Sequence, residues 1–408
     1  MVHAETWEEA DIAVDGTRNT GPRFGSREQT TLLLHRMRVL VVNAGSSSVK
    51  LRVVDEGDQL LASKDLGPPD DDLAEQLGDF MHDAGAFDVV GHRVVHGGPR
   101  FTSAVLVDAE VREALDGLNE LAPLHNPPAL AGIDAAARLL VGVPQVACFD
   151  TAFHASLLPA ATTYAIPEGW VARWGIRRYG FHGISCAWAS RRAAQLLDRP
   201  VDRLRMVICH LGAGASATGV SGGRSADTTM GFTPLEGLVM ATRCGDLGPG
   251  ALLFALDHGL DLDEATEDLE HRSGLLGISG TTGDMRQLLA ARTTGDQPAQ
   301  LAIAVYLHRL RAKIAGMAAA TAGTDALIFT GGVGEGSGVI RAEACAGLDW
   351  LGVILDGEAN NTVDAADAEI SAPDASVRTL VIHAREDLQI AHECRQLLDF
   401  RQPAARSG

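Results

Sequence analysis

Four polar clusters carry the side chains best suited to handling an anionic ligand. Gly91-His-Arg-Val-Val-His-Gly-Gly98 sets Arg93 inside an otherwise apolar run, and Phe149-Asp-Thr-Ala-Phe-His154 places Asp150 just after another. Arg178-Tyr-Gly-Phe-His-Gly183 flanks His182 with glycine, and Thr242-Arg-Cys-Gly-Asp246 puts Arg243 beside one, downstream of Thr233-Pro-Leu-Glu-Gly237. Polar residues at strand ends and helix starts are where α/β enzymes build their sites. Taken singly, each has a plainer account: Asp150 as a turn cap, His182 as a backbone-satisfied helix start, Arg93 and Arg243 as partners of surface carboxylates. Two loops of small residues accompany them, Asn43-Ala-Gly-Ser-Ser-Ser48 and His210-Leu-Gly-Ala-Gly-Ala-Ser216, each between two strand-like segments. Amides unhindered by side chains can approach phosphate oxygens closely, so the pair reads as two phosphate-cradling hairpins facing each other across a cleft. As ordinary hairpins they need no ligand at all.

Other phosphate chemistries are excluded. No Gly-Lys dipeptide exists, so there is no P-loop, and neither His-Arg-Asp nor Asp-Phe-Gly occurs. Gly331-Gly-Val-Gly-Glu-Gly336 fails the dinucleotide fingerprint because residue 337 is Ser, yet a strand-to-helix glycine turn also suits an adenosine or a phosphate. The six cysteines form no C-x-x-C pair, and His92 and His96 have i, i+4 spacing in a strand-like segment, where it makes no ligand pair. Scattered cysteines suit a reducing compartment, and a cytoplasmic protein is expected. With 34 Lys+Arg against 53 Asp+Glu the formal charge is −19, which disfavours nucleic-acid and anionic-membrane partners. No apolar run approaches the ~20 residues of a membrane span, and no secretory signal is visible.

These clusters need a frame. The length of 408 residues suggests two or three domains. Residues 1–36 show no sustained period and read as a loose extension, with the fold beginning at Met37. From there strands near 38–43, 49–54, 88–95, 145–149, 206–211, 215–220, 325–330 and 378–382 alternate with helices over roughly 108–120, 128–140, 185–197, 250–257, 298–322 and 386–399. The pattern predicts an α/β architecture of mixed sheets flanked by helices.

Taken together the segments resemble the acetate/propionate kinase family of the sugar kinase–Hsp70–actin superfamily, from Val39 to about Leu397. The resemblance rests on Asn43-Ala-Gly-Ser-Ser-Ser-Val-Lys50, Gly91–Gly98, Leu124-His-Asn-Pro-Pro128, Phe149–His154, Tyr179-Gly-Phe-His-Gly183, Met230-Gly-Phe-Thr-Pro-Leu-Glu-Gly237 and Thr330-Gly-Gly-Val-Gly-Glu335. It implies two actin-like (ribonuclease H-like) domains, 37–154 plus 388–408 and 155–387, with the active site in the cleft between them. It also implies a homodimer and reversible transfer of the ATP γ-phosphoryl group to acetate, giving acetyl phosphate and ADP, with Mg²⁺ or in its place Mn²⁺. By the same resemblance Asp150, Arg93, His182 and Arg243 are the catalytic set, and Val95, Leu124, Phe181 and Pro234 receive the acetate methyl beside Arg93. Asn43 and Glu386 lie at the metal end, and Ser46 and Ser48 on the first phosphate loop. Lys50, His210, Leu211, Gly212, Ala213, Gly214, Asp284, Met285, Arg286, Gly331, Gly332, Val333, Gly334 and Glu335 surround the nucleotide. The alternatives are another short-chain carboxylate kinase, such as one for propionate, or a low-turnover nucleotide-binding sensor. Four places depart from the family pattern: Ala213 and Gly336 where Asn is usual, Gly248 where Asp is usual, and His383-Ala-Arg385 in place of Pro-Thr-Asn.

Overall fold

Val39-Leu-Val-Val-Asn-Ala44 is a near-continuous apolar run, the pattern of a strand covered on both faces. In the computed structural model, which describes residues 37–45, 48–67, 72–123 and 125–401, it forms β1 at the centre of a six-stranded sheet. The assignments made to residues 1–36, Ser46 and Leu124 lie outside the described residues. The order is β3-β2-β1-β4-β6-β5, with β2 (Val49–Val54), β3 (Leu60–Leu66), β4 (Val89–Val94), β5 (Val105–Leu106) and β6 (Gln145–Phe149). Strands β1, β4 and β6 are parallel; β2, β3 and β5 run against their neighbours.

A second sheet is built from β7 (Arg205–Leu211), β8 (Ala215–Ser221), β9 (Arg224–Thr228), β10 (Ala326–Thr330), β11 (Ala368–Glu369) and β12 (Arg378–Val381). Its order, β9-β8-β7-β10-β12-β11, repeats the first strand for strand, with β7, β10 and β12 parallel. The echo between the two small-residue hairpins is therefore the visible part of a whole duplicated topology.

Helices cover the sheets as the mixed α/β pattern requires. Gln297–Ala320 lays Ile303, Leu307, Leu310 and Ile314 into the core above the second sheet. The last helix, Glu386–Arg401, returns to the first sheet, where Ile390 and Cys394 pack so close that a Cβ at Gly91 would lie 2.5 Å from Ile390. Helix Gly183–Leu196 sits between the halves, with Ile184 in the core of the first sheet and Cys186, Ala189 and Ala193 in that of the second.

Three of the helix boundaries that differ from expectation have a clear local cause. The helix expected at 128–140 spans Asn126–Leu139, because Pro127 and Pro128 fit the first turn, where their missing N–H is no loss. The one expected at 185–197 begins at Gly183, after His182 has turned into the left-handed region at φ 57°. The one expected at 108–120 stops at Asp116, where Gly117 follows, and resumes as a short 3-10 turn at Asn119–Leu121.

Candidate active site

The carboxyl ends of the adjacent parallel strands β1, β4 and β6 bring Asn43, Arg93 and Asp150 side by side. Arg93 grips Asp150 with both edges of its fork, Nε to Oδ1 at 3.1 Å and Nη2 to Oδ2 at 2.5 Å. Its Nη1 donates to Asn43 Oδ1 at 3.3 Å, and Asn43 Nδ2 donates to Glu386 Oε2 at 2.7 Å. Glu386 opens the last helix, whose packing on the first sheet delivers it here, 3.9 Å from Arg93. Burial alone would depress the Arg93 pKa, but the charges of Asp150 and Glu386 reverse the effect and raise it. Burial raises the Asp150 carboxyl, with Arg93 opposing; burial would raise Glu386 too, but Arg93 and its other partners lower it. Lys50, which pairs with Asn43 across β1 and β2 and also lines the cavity, adds its charge to that of Arg93 in lowering Glu386.

The opposite wall comes from the second half. His182 Nδ1 meets Ser216 Oγ at 3.0 Å, and His210 Nδ1 meets Ser185 Oγ at 2.8 Å. The two rings stack at 4.2 Å. Burial, then the neighbouring His210, Arg93 and Arg243, depress His182 well below an ordinary histidine, so it is neutral at pH 7. The tautomer in which Nδ1 accepts from Ser216 presents Nε2–H as a donor to the cleft. Arg243 Nη1 donates to the Pro234 carbonyl at 2.7 Å, and a Cβ at Gly214 would lie 2.7 Å from Arg243 Nη2 and 3.3 Å from His182 Nε2. A side chain at this position would have to displace the Arg243 guanidinium. Among the described residues Arg243 makes no ion pair with a carboxylate; burial lowers its pKa and only the more remote Glu270 charge opposes this. A guanidinium stays protonated regardless, so Arg243 is a sheltered cation in want of an anion.

Both hairpins line one cavity of about 840 Å³, the first through Gly45 and Ser48 and the second through Gly212, Ala213 and Gly214. Asn43, Lys50, Arg93, Asp150, His182, His210, Arg243 and Glu386 line it too, as do Gly331, Gly332 and Glu335. Val95, Phe181 and Pro234 form its apolar corner, where Val95 and Phe181 are almost completely buried. Asn126 fixes this corner by a reciprocal pair with His96, Oδ1 accepting from its N and Nδ2 donating to its O, each at 3.1 Å. Arg178 donates to the carbonyls of Thr228, Thr229 and Met230 and to Glu236, whose carboxylate also accepts from Tyr164, and this holds the segment leading to Pro234.

Some expected residues sit elsewhere. Leu211 and Met285 are core side chains, and Val333 and Gly334 pack behind the glycine turn. Asp284 and Arg286 pair with each other at 2.6 Å, with Arg286 almost fully exposed and neither lining the cavity. Their segment touches the site indirectly: Gly283 packs on Ala241, whose N donates to Ala213 O at 3.0 Å. Glu335 faces the cavity but spends one oxygen on Gly331 N at 2.7 Å and Ala384 N at 2.9 Å, bracing the glycine turn against the lead-in to Glu386. Fully buried Arg341 finishes that short helix by donating to the carbonyls of Gly334 at 2.9 Å and Glu335 at 2.6 Å.

Sequence reasoning passed over His125, which lines the cavity. Burial, with the charges of Arg243 and Arg93, pushes its pKa down to about 4. Its membership of the Leu124–Pro128 motif was the available signal.

Comparison with known proteins places these residues in a wider context. The Acetokinase family pattern matches residues 71–392. The acetate kinase of Thermotoga maritima is 41% identical over 399 residues, covering 89% of this chain and 99% of that protein. The acetate kinase of a Synechococcus strain is 47% identical over 333 residues, 82% of each. Among solved structures, acetate kinase of Porphyromonas gingivalis superposes with a TM-score of 0.82 at 33% identity, covering 89% of this chain and all of that one. A propionate kinase of Francisella tularensis gives 0.81 at 35% identity, covering 88% and 98%.

Proposed function

We infer that this chain, which belongs to the acetokinase family, is an ATP:acetate phosphotransferase that makes acetyl phosphate and ADP reversibly by direct in-line transfer. The observation that carries the mechanism is the unequal pairing of the two cleft arginines, Arg93 held by Asp150 and Arg243 without a carboxylate.

An acetate ion approaching a phosphoryl group faces like-charge repulsion, and it needs no general base because it is already ionised at pH 7. Arg243 supplies the uncompensated positive charge, and His182 Nε2–H donates to the phosphoryl oxygens in flight. Asp150 is committed to Arg93, so it orients that guanidinium toward the carboxylate and is no proton acceptor. The corner of Val95, Phe181 and Pro234 takes the methyl group. The hairpin amides and the glycine turn at 331–332 cradle the nucleotide phosphates.

The Asn43–Glu386 end of the cleft fits Mg²⁺, or Mn²⁺ in its place. It offers the Asn43 carbonyl and the Glu386 carboxylate, and no group of three or more His, Cys, Asp or Glu suited to a metal occurs among the described residues. Mg²⁺ commonly keeps several waters and takes phosphate oxygens, so sparse protein donors suit it. When bound it would neutralise phosphate charge. The two domains would be 37–154 plus 388–408 and 155–387, and a homodimer would cover the exposed Leu253, Phe254 and Leu262. No described helix is long and apolar enough to cross a membrane, and a cytoplasmic location fits the reaction.

Acyl phosphate trapped as the hydroxamate should accumulate from acetate and Mg·ATP and cease with excess EDTA. Absence of product at any acetate concentration would favour the low-turnover nucleotide sensor, and full activity in EDTA would remove the metal from the scheme.

A further inference from the structure

A second cavity of about 530 Å³ lies behind the cleft, within the size range of small-molecule sites. Phe149 and Gly183 line it while their chain neighbours Asp150 and His182 line the cleft, so one layer of backbone separates the two spaces. That layer is tight: Gly183 N donates to Asp150 O at 2.9 Å, and a Cβ on Gly183 would lie 2.1 Å from the same oxygen.

The walls of this rear cavity differ in character. Phe149, Phe153, Ile184 and Ala187 give it an apolar side. The other side comes from the last helix and from Arg191, whose Nε and Nη2 both donate to Gln389 Oε1 at 3.2 and 2.7 Å. Gln389 is 5% exposed and donates in turn to Glu393 at 2.9 Å, which locks the array. Among the described residues Arg191 makes no ion pair with a carboxylate. Glu393 is the acid facing it, but Glu393 is tied to Gln389, and burial raises its carboxyl pKa, which weakens it as a counter-ion. Burial likewise lowers Arg191, against the charges of Asp58 and Glu393. The remaining titratable group on this wall is His392, held to about 4 mainly by burial and therefore neutral at pH 7.

We propose that the rear cavity binds a small organic anion with an apolar body, its charged group on Arg191 and its body against Phe149, Phe153, Ile184 and Ala187. An occupant there bridges helix Gly183–Leu196 and the last helix, one residue away from Asp150 and His182, without entering the cleft. It is thus placed as a modulator rather than a substrate. Nothing in the cleft chemistry uses Arg191, so binding here stands or falls independently of the transferase reading.

Fluorescence titration of the full-length protein with 8-anilinonaphthalene-1-sulfonate tests this, with saturating Mg·ATP present to keep the probe out of the cleft. N-phenyl-1-naphthylamine, the same skeleton without the sulfonate, is the uncharged control. One saturable sulfonate site is expected. Arg191→Gln should weaken the sulfonate probe roughly tenfold or more, as expected for loss of a charge-assisted contact, and leave the uncharged probe unchanged. Basal acetyl phosphate formation by this variant should stay within about twofold of wild type. Ala187→Phe should fill the cavity and weaken both probes; if it fails to fold, the Arg191 comparison decides alone. The proposal is overturned by absence of saturable binding in the presence of Mg·ATP, or by an Arg191→Gln variant that keeps the sulfonate affinity or weakens both probes alike.

Discussion

Replacing Arg243 and Arg93 in turn separates a cation held for substrate from one held for structure. Arg243 bonds a backbone carbonyl at 2.7 Å and pairs with no carboxylate among the described residues, so its removal orphans no charge there. The lost bond, about 1.5–3 kcal/mol for a charged donor, is offset by relief from burying an uncompensated cation. The thermal midpoint of Arg243→Ala should therefore fall by less than ~5 °C. Arg93→Ala instead strands Asp150, which is 1% exposed; breaking such a pair costs about 3–5 kcal/mol, or roughly 6–20 °C in a domain of this size. Activity should rank differently. Loss of an arginine serving the transferring group costs roughly 10³–10⁵ in kcat, which sets the expectation for Arg243→Ala. Arg243→Lys keeps the charge but cannot bond Pro234 and a flat phosphoryl group together; one missing charge-assisted bond of about 1.5–3 kcal/mol gives a ~10- to 150-fold loss. Initial hydroxamate rates and calorimetric melts on the same preparations provide both readings. Arg243→Lys within threefold of wild type, or Arg243→Ala melting as low as Arg93→Ala, would show that Arg243 is a structural residue.

His92, His96 and His154 are buried and their pKa values are pushed by burial to about 4. Between that value and the unfolded ~6.5 the unfolded chain binds more protons, so their contribution to stability is full above pH 6.5 and shrinks as pH falls toward 4. The melting temperature should drop over that window, and a flat profile refutes the assignment. Val95→Ala enlarges the apolar corner and should shift preference toward propionate by ~1–3 kcal/mol at most, about one methylene's worth; an unchanged chain-length profile means Val95 does not contact the acyl group. Ala213→Asn restores a donor in a hairpin closed by Gly212 N to Gly214 O at 2.9 Å, and should lower the KM for ATP several-fold, the value of about 0.5–1.5 kcal/mol for one neutral hydrogen bond. Unchanged or abolished ATP use would mean the hairpin has been rebuilt around alanine.

Much of this site was readable because strand ends announce themselves. Arg93 interrupts an apolar run and Asp150 follows one, so the ends of the runs locate both at the carboxyl ends of strands. What sequence could not give was division of labour. Glu335 looks like a nucleotide contact beside its glycines, yet one of its partners, Ala384 N, lies 49 residues away. The same holds for Arg341, which sits in an ordinary helical stretch and reveals its role only through the carbonyls it meets. Some local signal was passed over. Leu73, Leu77, Phe80 and Met81 follow helical spacing and form the buried face of Leu73–Ala84, although Asp79, His82 and Asp83 dilute the apolar pattern. Strand β9, Arg-Ser-Ala-Asp-Thr, has almost no apolar content, and only its pairing with β8 makes it a strand.

The duplicated topology makes the asymmetry of the cleft informative. Corresponding strand ends carry Asn43, Arg93 and Asp150 in the first half, and His210, Thr330 and the segment after Val381 in the second. The first half places fixed charge at two of its three strand ends, Arg93 and Asp150; the second places glycine after β7 and after β10, at Gly212 and Gly331. Gly331 holds φ 79°, and a Cβ there would lie 2.8 Å from Leu211 O, so a side chain is barred by the β7–β10 packing itself. Glycine turns with open backbone amides thus dominate one half, and the Arg93–Asp150 ion pair with Glu386 beside it dominates the other. Arg243 is the exception, a charge from the second half that meets no carboxylate, held by Pro234 and resting over Gly214. Its position between the two kinds of surface is where a phosphoryl group leaving the amides for the carboxylate would carry its greatest charge.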